Sequence, residues 1–304
     1  MSNPTHSPLR LSTGAYVTTA EQPRWTDRVP RRIKIVPLTP TIGAEITGVD
    51  LSQPLDDAVR QEIQDALLNH LVVFFRGQTL SPEGLKAFGR QFGQLTTHPI
   101  QPTRIEGHPE IFIVRTDEKS ESATGEEWHS DLSFQAEPAM GSILHLLEVP
   151  PNGGGDTMFA NMYAAYETLS PSLQRFLEGL TAIHDSSGPF RGRYADVAAN
   201  QSYPKSEHPV IRTHPVTGGK LLYVNRVFTT HIAQLKRHES DGLLQVLYRH
   251  IETPEFHCRF KWQPGSVAFW DNRVTQHHAL WDYFPQRRSG HRVTLAGDRP
   301  FYRP

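Results

Sequence analysis

Cysteine is almost absent from this chain of 304 residues, since Cys258 is the only one. A single cysteine cannot form an internal disulfide or a cysteine-based zinc cluster, and the composition is typical of proteins that fold in a reducing compartment. The sequence therefore predicts a cytoplasmic protein without structural disulfides.

The sequence also lacks an excess of charge of either sign and any long hydrophobic run. It contains 31 Lys and Arg residues and 32 Asp and Glu residues, which gives a formal net charge of -1. This balance provides no field that attracts nucleic acid or an anionic membrane. No run approaches the roughly 18 apolar residues of a membrane span, and the first residues lack the charged-then-apolar order of a secretory signal. We therefore expect no nucleic acid and no membrane among the partners.

Glycine and proline are plentiful, with 22 and 24 residues, which favours turns and short strands. Residues 56–70 have the apolar spacing of a helix, and Ser81-Pro82 and Ser170-Pro171 are typical helix starts. Apolar runs of strand length occupy 71–75, 111–114, 143–147, 157–161, 210–213, 221–224, 256–262, 267–270 and 292–295. The pattern predicts a mainly β fold with flanking helices and a jelly-roll core, that is, a double-stranded β-helix.

The chain divides into three regions by composition. Residues 1–32 mix Pro, Thr, Ser and Arg without periodicity, which predicts a flexible N-terminal arm. Residues 33–304 are expected to form a single domain. Within it, the segment 186–207 interrupts the apolar pattern and is predicted to be a lid-like insertion.

Two short segments contain candidate metal ligands. His129 and Asp131, two residues apart on an extended segment, project from one face and can reach the same ion. A surface hydrogen-bonded pair is the competing interpretation. Either His277 or His278, after the apolar run 267–270, could supply a third ligand, or both could be ordinary packed histidines. Two histidines and one carboxylate leave one face of an octahedral Fe(II) ion open, which suits oxygen chemistry.

A pair of arginines follows these histidines. Arg288 and Arg292 lie four residues apart and would share a face if the segment is a strand. A planar guanidinium binds carboxylates and sulfonates through two hydrogen bonds, so two of them beside a metal indicate small anionic ligands. A solvated basic edge is the alternative.

Taken together, these segments resemble the TauD/TfdA family of Fe(II)- and 2-oxoglutarate-dependent dioxygenases. The shared motifs are WHSD, GGDT, WDNRVTQH, QRR and HRVTLAGD, and the similarity extends over most of the chain, from about residue 36 to residue 302. The resemblance implies that His129, Asp131 and His277 bind iron, which favours His277 over His278.

The resemblance also implies roles for residues outside the metal set. Thr157 and Arg288 match positions that bind the distal carboxylate of 2-oxoglutarate. Arg292 matches the arginine near the 1-carboxylate and the anionic group of the substrate. The positions that match the substrate pocket are His98, Leu132 and Phe228.

Two residues depart from the taurine-using members of the family. Gly125 stands where they have an asparagine, and Gln101 stands where they have an aromatic residue. Both changes remove contacts around the substrate. They argue against taurine and leave larger alkyl sulfonates, alkyl sulfate esters and aryloxyalkanoates open.

The activity implied by the resemblance is hydroxylation of the carbon next to the heteroatom of a small anionic substrate. An organosulfonate or alkyl sulfate ester would be oxidised with 2-oxoglutarate and O2, giving succinate, CO2, an aldehyde and sulfite or sulfate. The resemblance further implies a homodimer or homotetramer. The alternatives are an aryloxyalkanoate dioxygenase of the same family, a zinc hydrolase and a non-catalytic anion-binding jelly roll.

Overall fold

The computed structural model describes residues 25–99, 103–191 and 203–304, together with the backbone of 10–12 and 15–17. The fold is mostly β with a few helices, at 31% strand and 22% helix. This composition confirms the predicted mainly β class with flanking helices. Within the described ranges, no helix is long and apolar enough to cross a membrane.

The helices of the described chain are short. They are α1 (Asp57–His70), α2 (Pro82–Arg90), α3 (Met162–Glu167), α4 (Pro171–Leu177), α5 (Ser187–Phe190) and α6 (Arg237–Ile251), followed by a 3₁₀ turn at Pro254–Phe256. The strands are β1 (Arg10–Ser12), β2 (Ala15–Val17), β3 (Lys34–Pro37), β4 (Ala44–Thr47), β5 (Val72–Phe75), β6 (Leu95–Thr96), β7 (Arg104–Ile105), β8 (His108–Thr116), β9 (Gly141–Glu148), β10 (Thr157–Asn161), β11 (Thr181–Asp185), β12 (Lys205–Pro209), β13 (Ile211–Thr213), β14 (Lys220–Leu222), β15 (Thr229–Ile232), β16 (His257–Phe260), β17 (Ser266–Asp271), β18 (Thr275–Ala279) and β19 (Arg288–Leu295).

The predicted helix starts are confirmed by their hydrogen bonds. Asp56 caps α1 by accepting from the Val59 amide at 2.7 Å, and Ser81 caps α2 by accepting from the Gly84 amide at 3.0 Å. Ser170 caps α4 in the same way. In each case a side-chain oxygen satisfies an amide that the helix itself leaves without a partner.

Two sheets position the site. The larger has nine described strands in the order β3-β4-β5-β17-β9-β19-β8-β7, with β6 paired to β19. Its neighbouring strands are antiparallel, except that β4 and β5 are parallel. The smaller sheet has the order β16-β10-β18. Strand β19, which carries both arginines, therefore lies inside the larger sheet, and β18, which carries His277, belongs to the smaller one.

The main core lies between these two sheets. Phe74 of β5 stacks on Phe260 of β16, with ring centroids 3.8 Å apart. Residues of β5 alternate, so that Val72 and Phe74 join this core while Val73 and Phe75 pack under α1 and α2. A strand buried on both faces is apolar at every position, which explains the unbroken VVFF run.

The predicted arm and lid-like insertion are only partly described. Residues 18–24 and 192–202 lie outside the described residues, as does most of the chain before them in the arm. The amide of Trp25 donates to Asn69 Oδ1 at 2.8 Å, and that of Arg31 donates to Glu62 Oε1 at 2.8 Å. Residues 25–33 therefore run alongside α1. The domain boundaries remain a prediction.

Two buried histidines occupy strands β11 and β12. His184 is fully buried and bonded to Ser133 Oγ at 3.0 Å, and its ring centroid lies 5.3 Å from that of His208. Burial lowers the pKa of His184 to about 3 and that of His208 to about 4. Both imidazoles are therefore neutral in the folded protein at neutral pH.

We expect the free energy of unfolding to fall as the pH is lowered from 6.5 to about 4, because the unfolded chain binds protons at these histidines and the folded chain does not. Each group contributes about 1 kcal/mol per pH unit in this window. His184→Gln should flatten the slope by about that amount, because it removes one of the two histidines that stay neutral in the folded protein. Urea denaturation at several pH values measures the slopes. A slope that His184→Gln does not alter would contradict the prediction.

Candidate metal centre

Backbone pairing brings His129 and His277 together. The two residues form an antiparallel bridge in which each amide donates to the carbonyl oxygen of the other, at 3.1 and 2.9 Å. Directly opposed residues of an antiparallel pair project from the same face. The two imidazole rings accordingly lie side by side, with centroids 4.1 Å apart.

Asp131 is fixed by a side chain that follows β17. Its amide donates to Asn272 Oδ1 at 2.7 Å, and its carbonyl oxygen accepts from Asn272 Nδ2, also at 2.7 Å. The next residue, Leu132, has φ of 57°, in the left-handed region that residues other than glycine rarely adopt. The chain therefore turns directly after Asp131, while the side chain of Asn272 holds the backbone of Asp131 in place.

The three side chains converge on one point. The possible metal-binding atoms of His129, Asp131 and His277, one from each side chain, all lie within 4.8 Å of one another, and all three residues are buried. Asp131 Oδ1 is 3.7 Å from His129 Nε2 and 3.9 Å from His277 Nε2. Two imidazole nitrogens and one carboxylate oxygen fit an iron(II) ion with open positions. His278 packs edge-on against Trp128 instead, with centroids 5.5 Å apart.

The protonation states at this centre suit metal binding. His129 Nδ1 lies 2.7 Å from the carbonyl oxygen of Glu127, which only accepts, so Nδ1 donates and Nε2 keeps its lone pair. Burial lowers the pKa of His129 and of His277. Burial opposes ionisation of Asp131, but the charge of Arg292 and the hydrogen bond from Ser142 bring the pKa of Asp131 below its usual range.

Hydrogen bonds orient the Asp131 carboxylate. Ser142 Oγ donates to Oδ2 at 2.8 Å, and Arg292 Nη1 donates to Oδ1 at 2.9 Å. Oδ1 is the oxygen that faces both histidines. Sequence analysis missed Ser142 and Asn272, because a buried serine or asparagine carries no motif of its own.

Arg288 and Thr157 lie together beside the metal centre. Arg288 is 4% exposed, its Nε donates to the Gly155 carbonyl oxygen at 3.0 Å, and its Nη2 lies 3.5 Å from Thr157 Oγ1. Burial lowers the pKa of Arg288. Among the described residues, no carboxylate lies within 4 Å of this guanidinium. A buried cation without an anionic partner is costly, so the position fits an anionic ligand.

A cavity of about 280 Å³ is lined in part by the metal-binding residues His129 and Asp131. Its lining includes the predicted residues His98, Leu132 and Phe228, with Arg292 at the metal end. It also includes residues that sequence analysis missed, among them Phe190, Val227, Glu126 and Glu127. Burial and Arg292 lower the pKa of His98 to about 3, so this imidazole is neutral.

One of the two departures noted in the sequence, Gly125, lines the same cavity. Gly125 has φ of 83°, and a Cβ at this position would lie 3.0 Å from His129 Cε1. A larger residue here would therefore crowd a metal ligand unless the loop shifted. Gln101 lies outside the described residues.

Comparison with known proteins identifies the family. Residues 34–294 match the family described as "Taurine catabolism dioxygenase TauD, TfdA family". The chain belongs to this family. The resemblance predicted from the sequence is thus confirmed, and the TauD/TfdA assignment makes the chain a dioxygenase, an oxidoreductase.

Individual TauD/TfdA relatives are similar over most of the chain. An alpha-ketoglutarate-dependent sulfonate dioxygenase from Saccharomyces cerevisiae is 36% identical, over 88% of this chain and 68% of its own. An alpha-ketoglutarate-dependent sulfate ester dioxygenase from Pseudomonas putida is 36% identical, over 88% of this chain and 91% of its own. The crystal structure of a taurine dioxygenase from Burkholderia xenovorans superposes with a TM-score of 0.78 at 40% identity, over 89% and 91% of the two chains.

Asn272→Ala should destabilise the fold by about 3 kcal/mol, because the amide and carbonyl groups of Asp131 and the carbonyl of Ala139 would lose buried partners. Asn152→Ala is the matched control, since this exposed asparagine accepts a single bond from the Gly154 amide. Urea denaturation measures both changes. Equal free energies of unfolding for the two variants would show that Asn272 does not clamp the Asp131 segment.

Proposed function

We propose that the chain is an Fe(II)- and 2-oxoglutarate-dependent dioxygenase acting on a small organosulfonate or alkyl sulfate ester. Hydroxylation of the carbon next to the heteroatom would give an aldehyde and sulfite or sulfate, with succinate and CO2 from the co-substrate. The observation that carries the proposal is the convergence of His129, Asp131 and His277 within 4.8 Å, next to the buried Arg288, which pairs with no acid in the part of the chain that the structure describes. A zinc hydrolase or a pure anion binder is not favoured by membership of a dioxygenase family.

The chain's own residues would organise the reaction in space. When bound, iron(II) together with 2-oxoglutarate and O2 supplies the oxidant that removes a hydrogen atom from a substrate C–H bond. His129, Asp131 and His277 would hold the metal from one side, leaving positions open toward the cavities. Ser142 and Arg292 would keep the carboxylate of Asp131 oriented, because each donates to one of its oxygens.

The co-substrate would lie between two arginines. Arg288 and Thr157 would bind its distal carboxylate, and Arg292 would lie near its 1-carboxylate and near the anionic head of the substrate. Both arginines are carried by β19, four residues apart, so they project from the same face of the strand. Hydrogen bonds between charged partners are worth about 1.5 to 3 kcal/mol each, which is enough to fix the orientation of a small diacid.

The 280 Å³ cavity favours a substrate with an anionic head and an apolar body. His98 is neutral and would bind the head by hydrogen bonding rather than by charge, while Arg292 would supply the positive charge. Leu132, Phe190 and Phe228 form apolar walls, with Phe190 and Phe228 ring centroids 6.1 Å apart. These walls favour an alkyl chain, since each buried methylene contributes about 0.8 kcal/mol, whereas the carboxylates of Glu126 and Glu127 lie in the more exposed part of the lining.

The architecture supports a finer description of the fold. We infer that the nine-stranded sheet and the β16-β10-β18 sheet form the two layers of a jelly roll, because they share one core and pack face to face through Phe74 and Phe260. A single domain from residue 33 to residue 304 and assembly as a homodimer or homotetramer belong to the same proposal.

Asp131→Ala should abolish iron binding and oxygen-dependent succinate formation, because it removes the one carboxylate among the three ligands. The fold should persist, as judged by circular dichroism, since Asn272 bonds the backbone of residue 131 and not its side chain. The urea midpoint should fall, because buried Arg292 loses its carboxylate partner. Asp241→Ala, on an aspartate that pairs with Arg237 at the surface, is the control. Iron content after anaerobic loading checks the first effect. Undiminished succinate formation by Asp131→Ala would contradict the ligand assignment.

A substrate panel tests the proposed chemistry. Anaerobically purified protein is supplied with iron(II), 2-oxoglutarate and O2, and succinate is measured with alkyl sulfonates, alkyl sulfate esters, aryloxyalkanoic acids and taurine. We expect a longer alkyl sulfonate or sulfate ester to give the highest kcat/KM, at least about tenfold above taurine, because two more methylenes buried against Leu132, Phe190 and Phe228 contribute about 1.6 kcal/mol. Preference for taurine or for an aryloxy acid would overturn the substrate class.

A further inference from the structure

Trp262 lies at the position where the co-substrate's distal carboxylate would bind, and no motif of the sequence pointed to it. It is 5% exposed and lines a small cavity together with Thr157, Arg288 and His277. We propose that Trp262 is a positioning residue that makes this site selective for a 2-oxo acid with a second carboxylate. The inference rests on the proposed function.

The first step is the hydrogen-bond accounting at Thr157. Trp262 Nε1 donates to Thr157 Oγ1 at 2.9 Å, and an indole N–H can only donate. The hydroxyl is therefore the acceptor in this bond, and its own proton must point elsewhere. No acceptor for that proton is found among the described residues, so the O–H is available to an acceptor in the cavity.

The second step concerns Arg288. Its Nε donates to the Gly155 carbonyl oxygen at 3.0 Å, and its Cζ lies 5.6 Å from the centre of the Trp262 ring. An aromatic face within about 6 Å attracts a guanidinium. One edge of the guanidinium is thus held by the backbone and one face by the indole, while Nη2 makes a long 3.5 Å bond to Thr157 Oγ1. The other N–H groups of the two terminal nitrogens remain for a ligand.

The third step is the rigidity of Trp262 itself. Its ring meets Phe260 edge to face, with centroids 5.0 Å apart at 84°, and Phe260 in turn stacks on Phe74. The indole orientation is therefore set by the main core. A fixed indole orients one hydroxyl donor and one guanidinium at a single point, and that donor pattern complements a carboxylate.

Selectivity follows from the cost of leaving these donors without a partner. A 2-oxo acid with a methyl end in place of the distal carboxylate would bury the Thr157 hydroxyl and the Arg288 guanidinium against carbon. Sites built from buried polar groups discriminate strongly against ligands that lack the matching group. Trp262 contributes by preventing the Thr157 hydroxyl from turning to another orientation.

The test compares anaerobic binding of 2-oxoglutarate and of 2-oxopentanoate, which has the same chain length without the distal carboxylate, to the iron(II)-loaded protein by calorimetry. Trp262→Phe keeps an aromatic ring and removes the N–H. It should weaken 2-oxoglutarate binding about 3- to 10-fold and change 2-oxopentanoate binding less than about twofold. Trp25→Phe is the matched control, because the Trp25 indole N–H is buried without a partner among the described residues.

A double-mutant cycle separates positioning from general packing. In a Thr157→Val background the hydroxyl is gone, so adding Trp262→Phe should leave the Kd for 2-oxoglutarate nearly unchanged. A full additional loss in that background, or equal weakening of both ligands by Trp262→Phe, would overturn the inference. Failure of the wild-type protein to bind 2-oxoglutarate would instead overturn the proposed function, and the inference with it.

Discussion

The backbone bridge between His129 and His277 is the contact on which the site depends. Its two reciprocal hydrogen bonds place two histidines from distant parts of the chain on one face, and Asn272 adds Asp131 by bonding the backbone on both sides of that residue. None of these bonds involves a metal-binding atom. The geometry of the candidate centre is therefore built by the pairing of main-chain groups in the fold, and the three ligand side chains only have to extend from it.

Burial gives that geometry its electrostatic character. The two metal-facing imidazoles are buried and neutral, and the Asp131 carboxylate is kept ionised by Arg292 despite burial. Arg292 is thus partly neutralised inside the protein, whereas Arg288 is buried to a similar extent and has no carboxylate of the described residues within 4 Å. Arg292 therefore supports the metal-binding carboxylate of Asp131. The charge of Arg288, on the same strand, remains available to a bound anion.

The sequence predicted the parts of the fold and site that depend on local patterns. Ser-Pro starts marked α2 and α4, helical apolar spacing marked α1, and apolar runs marked strands such as β5. Strands β11 and β12 were missed, because their inward positions include His184 and His208. Histidine in a sequence usually indicates a surface position, and only the structure shows that these two are buried and hydrogen-bonded to Ser133 and Gln135. Trp262 was taken as part of a core strand, since its bond to Thr157 joins residues 105 positions apart and leaves no local signal.

The formal charges of the buried groups bear on how two anions can share one small site. Arg288 and Arg292 together exceed the single charge of Asp131 by one, and His98, His129 and His277 are neutral. A divalent metal ion raises this excess to three positive charges. 2-Oxoglutarate supplies two negative charges, so one negative charge remains for the substrate if the buried groups around the metal are to be neutral; Glu126 and Glu127 lie in the more exposed part of the cavity lining. Because uncompensated buried charge is expensive, this balance favours a monoanion such as a sulfonate or a sulfate monoester over a dianion or a neutral molecule.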